Sequence, residues 1–475
     1  MPELATVIRG VDAVLPHNRS KLDLGIGAEG RIAVIAEAGT LTGDAIVEAE
    51  GLIALPGAID LHVHINTFFG GTTTRDDFFA GTSAALFGGT TTVAQFAIPR
   101  PGETSLEAVD RTQEEARPAV VCDYVIHGCA VRETYDASLA QFGRLTERGI
   151  RTLKVFSAYT DTIGLSLGQI HRLLARAAEA GITIFVHAET DSLVREGIEE
   201  AVGRWDLGPH GHAVSRTPLA ENDAIRSIAD LARDTDATVY FVHVSAASSV
   251  ASLAELRARG SRILAETCPH YLFLDASVYD APGGEQWICS PPIRSAEHRA
   301  ALWDALEAGV IDTVSSDHNC FDIAQKASRR ADFRAVPNGL PGIEHRLPLL
   351  VGAAITGRLG WERLVQLSSE TPARILGLWP RKGALVVGAD ADLVLIDPAG
   401  HSNLGVGHMA TDYSPYKEMS VSGRIERVYR HGQLVVVENE LRAARGSGAW
   451  LPVRAAPIIP PWSISATSTG PIDDR

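Results

Sequence analysis

The sequence predicts an α/β protein, a (β/α)8 TIM-like barrel with a second, small β-sandwich domain formed from both chain ends. Three observations carry this. Short apolar, β-rich runs alternate with amphipathic helical stretches over roughly 300 residues, the length of a barrel of eight such units. One polar, metal-competent residue stands at the end of run after run. Both ends of the chain, by contrast, are β-rich without helical periodicity.

Residues 1–55 hold short β-like runs at 4–9, 31–36 and 45–48, broken by Gly-rich turns at 25–30 and 39–43. Residues 56–379 are the barrel, with strands expected at 152–156, 183–187, 238–243 and 262–266 and helices at 167–180, 223–234 and 248–259. After Gly383 the β character returns, at 388–396, 427–429 and 434–437. The economical arrangement pairs 1–55 with 380–445 as one sandwich interrupted by the barrel. Residues 446–475, rich in Pro, Ser and Thr from 456 onward, are expected to be extended or disordered.

Composition narrows the function. The chain has 475 residues, 45% of them apolar, enough for a large core plus a smaller unit. No apolar run is long enough to span a bilayer and the N-terminus lacks a basic leader, so no membrane partner and a cytoplasmic location are expected. The net charge of −15, with no clustered Lys/Arg, argues against nucleic acid. Five cysteines, an odd number with no Cys-x-x-Cys pair, read as reduced thiols.

His62-Val63-His64 ends an apolar strand-like run, and residues two apart in a strand share a face, so both imidazoles can grip one ion. Alone, such a pair equally fits a surface or hydrogen-bonded core site. The barrel makes a sharper demand, that chemistry sit at the C-terminal strand ends. Lys154, His187, His243 and Asp317 meet it, each at the end of a β run. Together with His62 and His64 they supply the nitrogen and oxygen donors of a hydrolytic metal pair. Lys154 cannot coordinate as an ammonium. A buried neutral amine can add carbon dioxide to form a carbamate with two bridging oxygens, whereas an ordinary ion pair or a Schiff-base lysine is the competing reading.

Those motifs resemble the cyclic amidohydrolases, in particular dihydropyrimidinases and D-hydantoinases, over roughly residues 50–440. Further matches are Asp76-Asp77-Phe78-Phe79, Gly88-Gly89-Thr90-Thr91, Glu266-Thr267-Cys268-Pro269-His270, Ser290-Pro291-Pro292-Ile293-Arg294, Pro337-Asn338-Gly339 and Asp412-Tyr413-Ser414-Pro415-Tyr416. The resemblance implies two divalent metal ions, zinc by preference. His62, His64 and Asp317 would hold one, His187 and His243 the other, and carbamylated Lys154 would bridge them with a hydroxide that opens the ring. It implies that Asp317 moves the proton, that Tyr159 donates its phenol to the developing oxyanion, a role worth about 2–4 kcal/mol, and that Ser290 and Asn338 hold the cyclic imide. Tyr159 is otherwise a buried rim tyrosine.

The implied substrates are small cyclic amides, 5-substituted hydantoins or dihydropyrimidines opened to N-carbamoyl amino acids. Allantoin and L-hydantoins are the alternative substrates, and a non-catalytic dihydropyrimidinase-like protein is the alternative class. The chain departs from the pattern at Asn66-Thr67-Phe68-Phe69 and at Ser157, which puts the preferred substituent in question. The resemblance also implies a homotetramer or homodimer, with 408–429 packing across subunits. His270, His318, His345 and Cys320 are read as packing or orienting groups.

Overall fold

The computed structural model describes residues 3–453. Eight parallel strands form the barrel: β1 (Ala58–Val63), β2 (Thr90–Phe96), β3 (Asp123–Cys129), β4 (Thr152–Phe156), β5 (Thr183–His187), β6 (Val239–Phe241), β7 (Ile263–Thr267) and β8 (Thr313–Val314). They pair in chain order. A bridge between Val63 and His318, with the His64 amide donating to the His318 carbonyl at 2.8 Å, joins the last strand to the first.

The strands are buried on both faces, as parallel strands between a filled interior and a helical coat must be. Inward positions Ala94, Phe96, Val125, Phe185, Tyr240 and Leu264 fill the interior, while their neighbours Val93, Ile126, Leu153, Ile184, Val239 and Ile263 meet the surrounding core. Further along the inward rows the side chains turn polar, at Lys154, His187 and Glu266. The β1–β2 register slips between Asp60 and Val63, which moves the inward side from Leu61 to His62.

Local signals set the helices. Leu167–Ala180 starts where Ser166 and Gln169 form a reciprocal cap and ends at Gly181, whose φ of 63° few other residues adopt. The helix expected at 223–234 begins earlier, at Pro218, because Thr217 caps it and proline suits a first turn.

Both chain ends join in one nine-stranded sheet. Its junction sets Ile53–Pro56 antiparallel to Leu393–Asn403. Strand Thr6–Val14 pairs with Ala45–Glu48 along its first half and with Ile53–Pro56 beyond a bulge between Ile8 and Val11. The sheet divides there around Val11, Leu24, Ala54, Leu393 and Leu395. Strand Arg19–Ile26, too polar to stand out in the sequence, pairs on both edges. The run expected from 388 forms a strand only from Leu393, because Asp390 and Asp392 turn toward buried Lys382.

Lys382 ties the two parts together. Its Nζ lies 2.6 Å from Asp123 at the start of β3 and 2.7 Å from Asp392. Residues 446–453 run beside β3, with the Tyr124 amide donating to Ala449 at 2.9 Å and the Leu451 amide to Tyr124 at 2.8 Å. The rest of the expected tail, 454–475, lies outside the described residues. Among the described residues no helix is long and apolar enough to cross a membrane.

Candidate metal centre

The barrel brings all nine sequence-predicted site residues into one chamber of about 40 Å³: His62, His64, Lys154, Tyr159, His187, His243, Ser290, Asp317 and Asn338. Three of them, Tyr159 (φ 60°), His243 (φ 42°) and Asp317 (φ 48°), sit in the left-handed region, strain that the surrounding fold must hold in place. For His243 this corrects the sequence reading: β6 stops at Phe241, and the histidine lies just beyond it.

His62, His64 and Asp317 present atoms that all lie within 4.8 Å of one another. Asp317 Oδ1 is 3.0 Å from His62 Nε2 and 3.5 Å from His64 Nε2, and the two nitrogens are 3.2 Å apart. Across the chamber, His187 Nδ1 faces His243 Nε2 at 3.0 Å. Lys154 is 1% exposed, its Nζ 4.9 Å from the centroid of Phe96 and 5.3 Å from that of Phe156. Among the described residues no carboxylate pairs with it, which disfavours the ion-pair reading.

These donors suit a cation. Glu266 Oε1, 2.7 Å from His62 Nδ1, accepts that nitrogen's N–H, so that in the neutral imidazole Nε2 aims a lone pair at the Asp317 carboxylate. Lone pair against carboxylate is repulsive unless a cation or a further proton stands between them. Glu189 likewise takes the Nε2 proton of His187 at 2.7 Å and frees Nδ1 for the centre. Among the described residues, buried Nδ1 of His243 has no hydrogen-bond partner. Imidazole nitrogens and a carboxylate oxygen are the donors that zinc-like ions prefer.

Electrostatics sharpen the division of roles. Burial lowers His64 to about 4, keeping it a neutral donor. Burial would lower His62 too, but the Asp317 and Glu266 carboxylates hold it above the ordinary value. Asp317, which burial alone would raise, is held well below the carboxylate range by His62 and His64. Lys154 is pulled down to about 8 by burial, against the carboxylates of Asp317 and Glu266, so a neutral amine is accessible near neutral pH.

Sequence reasoning missed the groups that aim the histidines. Glu266 also accepts the His243 amide at 3.1 Å and the Tyr240 hydroxyl at 2.7 Å, and Glu189 is bound by buried Arg216. His187-Ala188-Glu189 was the one available local signal. Ser157 is no substituent reader: its hydroxyl donates to the Glu189 carbonyl at 2.9 Å and accepts the Glu189 amide at 3.1 Å. Asn66 is 3.3 Å from Glu115 and lies outside the chamber. His318 pairs with Asp76 at 2.7 Å, and His345 contacts the Leu404 carbonyl at 2.9 Å, both as packed groups.

The chamber opens into an outer cavity of about 1140 Å³, whose apolar lining includes Phe68, Phe69, Ile98, Val131, Ile163 and Val336. Phe69, Ile98, Tyr159 and Asn338 border both spaces. Phe68 and Phe69 belong to a small hairpin held by Arg329, which donates to Gly70 at 2.6 Å and to Gly71 at 3.1 Å.

Known proteins agree with this architecture. A D-hydantoinase of Streptomyces coelicolor is 38% identical over 458 residues, covering 94% of this chain and 97% of that protein. A D-phenylhydantoinase of Escherichia coli O127:H6 is 34% identical, covering 87% and 90% respectively. The crystal structure of a dihydropyrimidinase from Brevibacillus agri superimposes with a TM-score of 0.92 at 34% identity, covering 96% of this chain and all of that one. The amidohydrolase family model matches residues 53–435, and the chain belongs to the amidohydrolase family.

Proposed function

We propose that this enzyme hydrolyses the ring amide of 5-substituted hydantoins or dihydropyrimidines to N-carbamoyl amino acids. His62, His64 and Asp317 would hold one divalent cation, His187 and His243 a second, with carboxylated Lys154 between them. Zinc is our choice of ion. The carrying observation is His62 Nε2 set 3.0 Å from the Asp317 carboxylate while its Nδ1 lies 2.7 Å from Glu266. Two cations bound there would supply a water ionised near neutral pH and polarisation of the scissile carbonyl.

The chain's own groups do the rest. Water oxygen bonds to the carbonyl carbon, the C–N bond breaks, and the ring nitrogen leaves with a proton. Asp317, one of the first donor set, takes the proton that water loses and delivers it to that nitrogen. Tyr159 donates its phenol to the carbonyl oxygen as charge develops. Ser290 and Asn338, joined by a 3.1 Å hydrogen bond from Asn338 Nδ2 to Ser290 Oγ, hold the alternating N–H and C=O edge of the ring.

Catalysis on this reading is confined to residues 56–379, with 1–55 and 380–445 as the supporting sheet. The five free, buried cysteines support a reducing cytoplasmic setting. We also propose a homotetramer, which a monomer mass by light scattering at micromolar concentration would refute.

The deciding assay is ring opening by zinc- and bicarbonate-supplemented protein, with dihydrouracil, D- and L-5-phenylhydantoin and allantoin side by side. Preference for the D-aryl hydantoin is expected, and Lys154→Ala and Asp317→Asn should each abolish it. Unchanged turnover in those two variants would refute the mechanism, and opening of allantoin alone would refute the substrate class.

A further inference from the structure

Arg216 belongs to no motif noted in the sequence. It lies between helices Pro209–Ser215 and Pro218–Asp234 and is 4% exposed. Its Nη1 donates to Glu189 Oε2, the oxygen that also accepts the His187 Nε2 proton at 2.7 Å. Its guanidinium carbon stands over the Tyr159 ring, 4.9 Å from the centroid, and that ring lies 5.4 Å from the His187 ring. One buried cation therefore touches both the carboxylate that aims a metal-facing histidine and the aromatic ring that carries the proposed oxyanion donor.

Neutralising Glu189 accounts for only half of this placement. A lysine ammonium could neutralise that carboxylate too. A planar guanidinium can also offer its edge to a carboxylate while its face rests on an aromatic ring, and that second contact is what neutralisation does not require. Arg216 is itself fixed from behind. Its carbonyl accepts from Arg294 Nη1, and Arg294 is held by Ser245 Oγ at 3.1 Å and by Glu221 Oε2 at 3.5 Å. Glu221 also accepts the amides of Ser245 at 3.1 Å and Ala246 at 3.0 Å, so the frame reaches the loop that follows His243.

We propose that Arg216 is a positioning residue that keeps His187 and the Tyr159 phenol at one fixed spacing, so that the cation site and the oxyanion donor act on the same carbonyl. The part played by Tyr159 rests on the cyclic-amide reading above. The test compares Arg216→Lys, Arg216→Met, Tyr159→Phe and the Arg216→Lys/Tyr159→Phe double variant. Zinc affinity is measured by chelator competition, and kcat and KM on D-5-phenylhydantoin.

Arg216→Lys should keep zinc affinity within about threefold of the parent, which also shows it folded, while kcat falls at least about tenfold and KM barely moves. Adding it to Tyr159→Phe should deepen that variant's loss by less than about twofold. Arg216→Met should lose about 10–100-fold in zinc affinity. Parental kcat in Arg216→Lys, losses that multiply in the double variant, or zinc lost equally by the Lys and Met variants overturns the proposal. If the parent opens no cyclic amide, the functional reading fails by itself. The zinc measurement then decides alone: weakened binding in Arg216→Met with binding kept in Arg216→Lys upholds the His187 side of the proposal, and unchanged binding in Arg216→Met overturns it.

Discussion

Glu266 on β7 holds His62 on β1 across the barrel interior, carboxylate oxygen to Nδ1 at 2.7 Å, with both side chains sealed from solvent. That contact selects the imidazole tautomer whose free lone pair faces the centre, so a residue that touches no substrate decides whether His62 can be a ligand.

Removing the acceptor should therefore weaken the centre without unfolding the barrel. Glu266→Ala is expected to lower zinc affinity about 10–100-fold, and Glu266→Gln, which keeps an oxygen for the His62 proton, to lower it less. Chelator competition on the purified variants reads both, and equal affinity in Glu266→Ala and the parent would contradict the assignment.

Carboxylation of Lys154, as proposed, would set a pH dependence for assembly. Its amine, lowered to about 8, adds carbon dioxide only when neutral, and the neutral fraction rises about tenfold per pH unit below that value and then levels. Protein stripped of metal and carbon dioxide should regain zinc and activity at a rate that climbs toward about pH 8 and flattens beyond, at fixed dissolved carbon dioxide. A rate independent of pH between about 6 and 8 would rule out carboxylation as the limiting step.

Phe69 borders both the inner chamber and the outer cavity, where the ring substituent of the proposed substrate would pass. Phe69→Ala should lower kcat/KM for an aryl hydantoin about tenfold, while dihydrouracil, with nothing to place there, changes less than about twofold. Parallel losses on both substrates would mean that Phe69 supports the fold and not the substituent.

Lys382 is 1% exposed and pairs with Asp123 at 2.6 Å and Asp392 at 2.7 Å. Lys382→Met strands those carboxylates in the interior, with His431 left to Asp123 at 2.7 Å, and should destabilise the protein by about 3 kcal/mol or more. A thermal melt should show the loss, and Lys382→Arg should recover part of it.

Much of the centre was legible because barrel strands deliver side chains at fixed intervals to a common end. His62 and His64 sit two apart, and Lys154 and His187 close apolar runs, so each carries a local signature of its role. Glu266 also ends an apolar run, yet its function lies in a partner 204 residues away, and nothing near it in the chain names His62. Arg216 falls between two helices, where an arginine reads as surface. Ser157 misleads for the reverse reason: it neighbours the site in sequence but turns toward the β5 backbone. Strand Arg19–Ile26 was hidden by the charges of its first half, although Leu22, Leu24 and Ile26 give it an apolar face and it pairs on both edges.

The closing bridge between Val63 and His318 has a consequence for biosynthesis. It places the seam of the barrel beside one candidate donor set, with His62 and His64 on one side and Asp317 on the other. No shorter nascent chain can offer that set, since its last member leaves the ribosome only after nearly the whole barrel has been made. On the reading proposed above, that donor set is therefore complete only once the last strand has closed the ring.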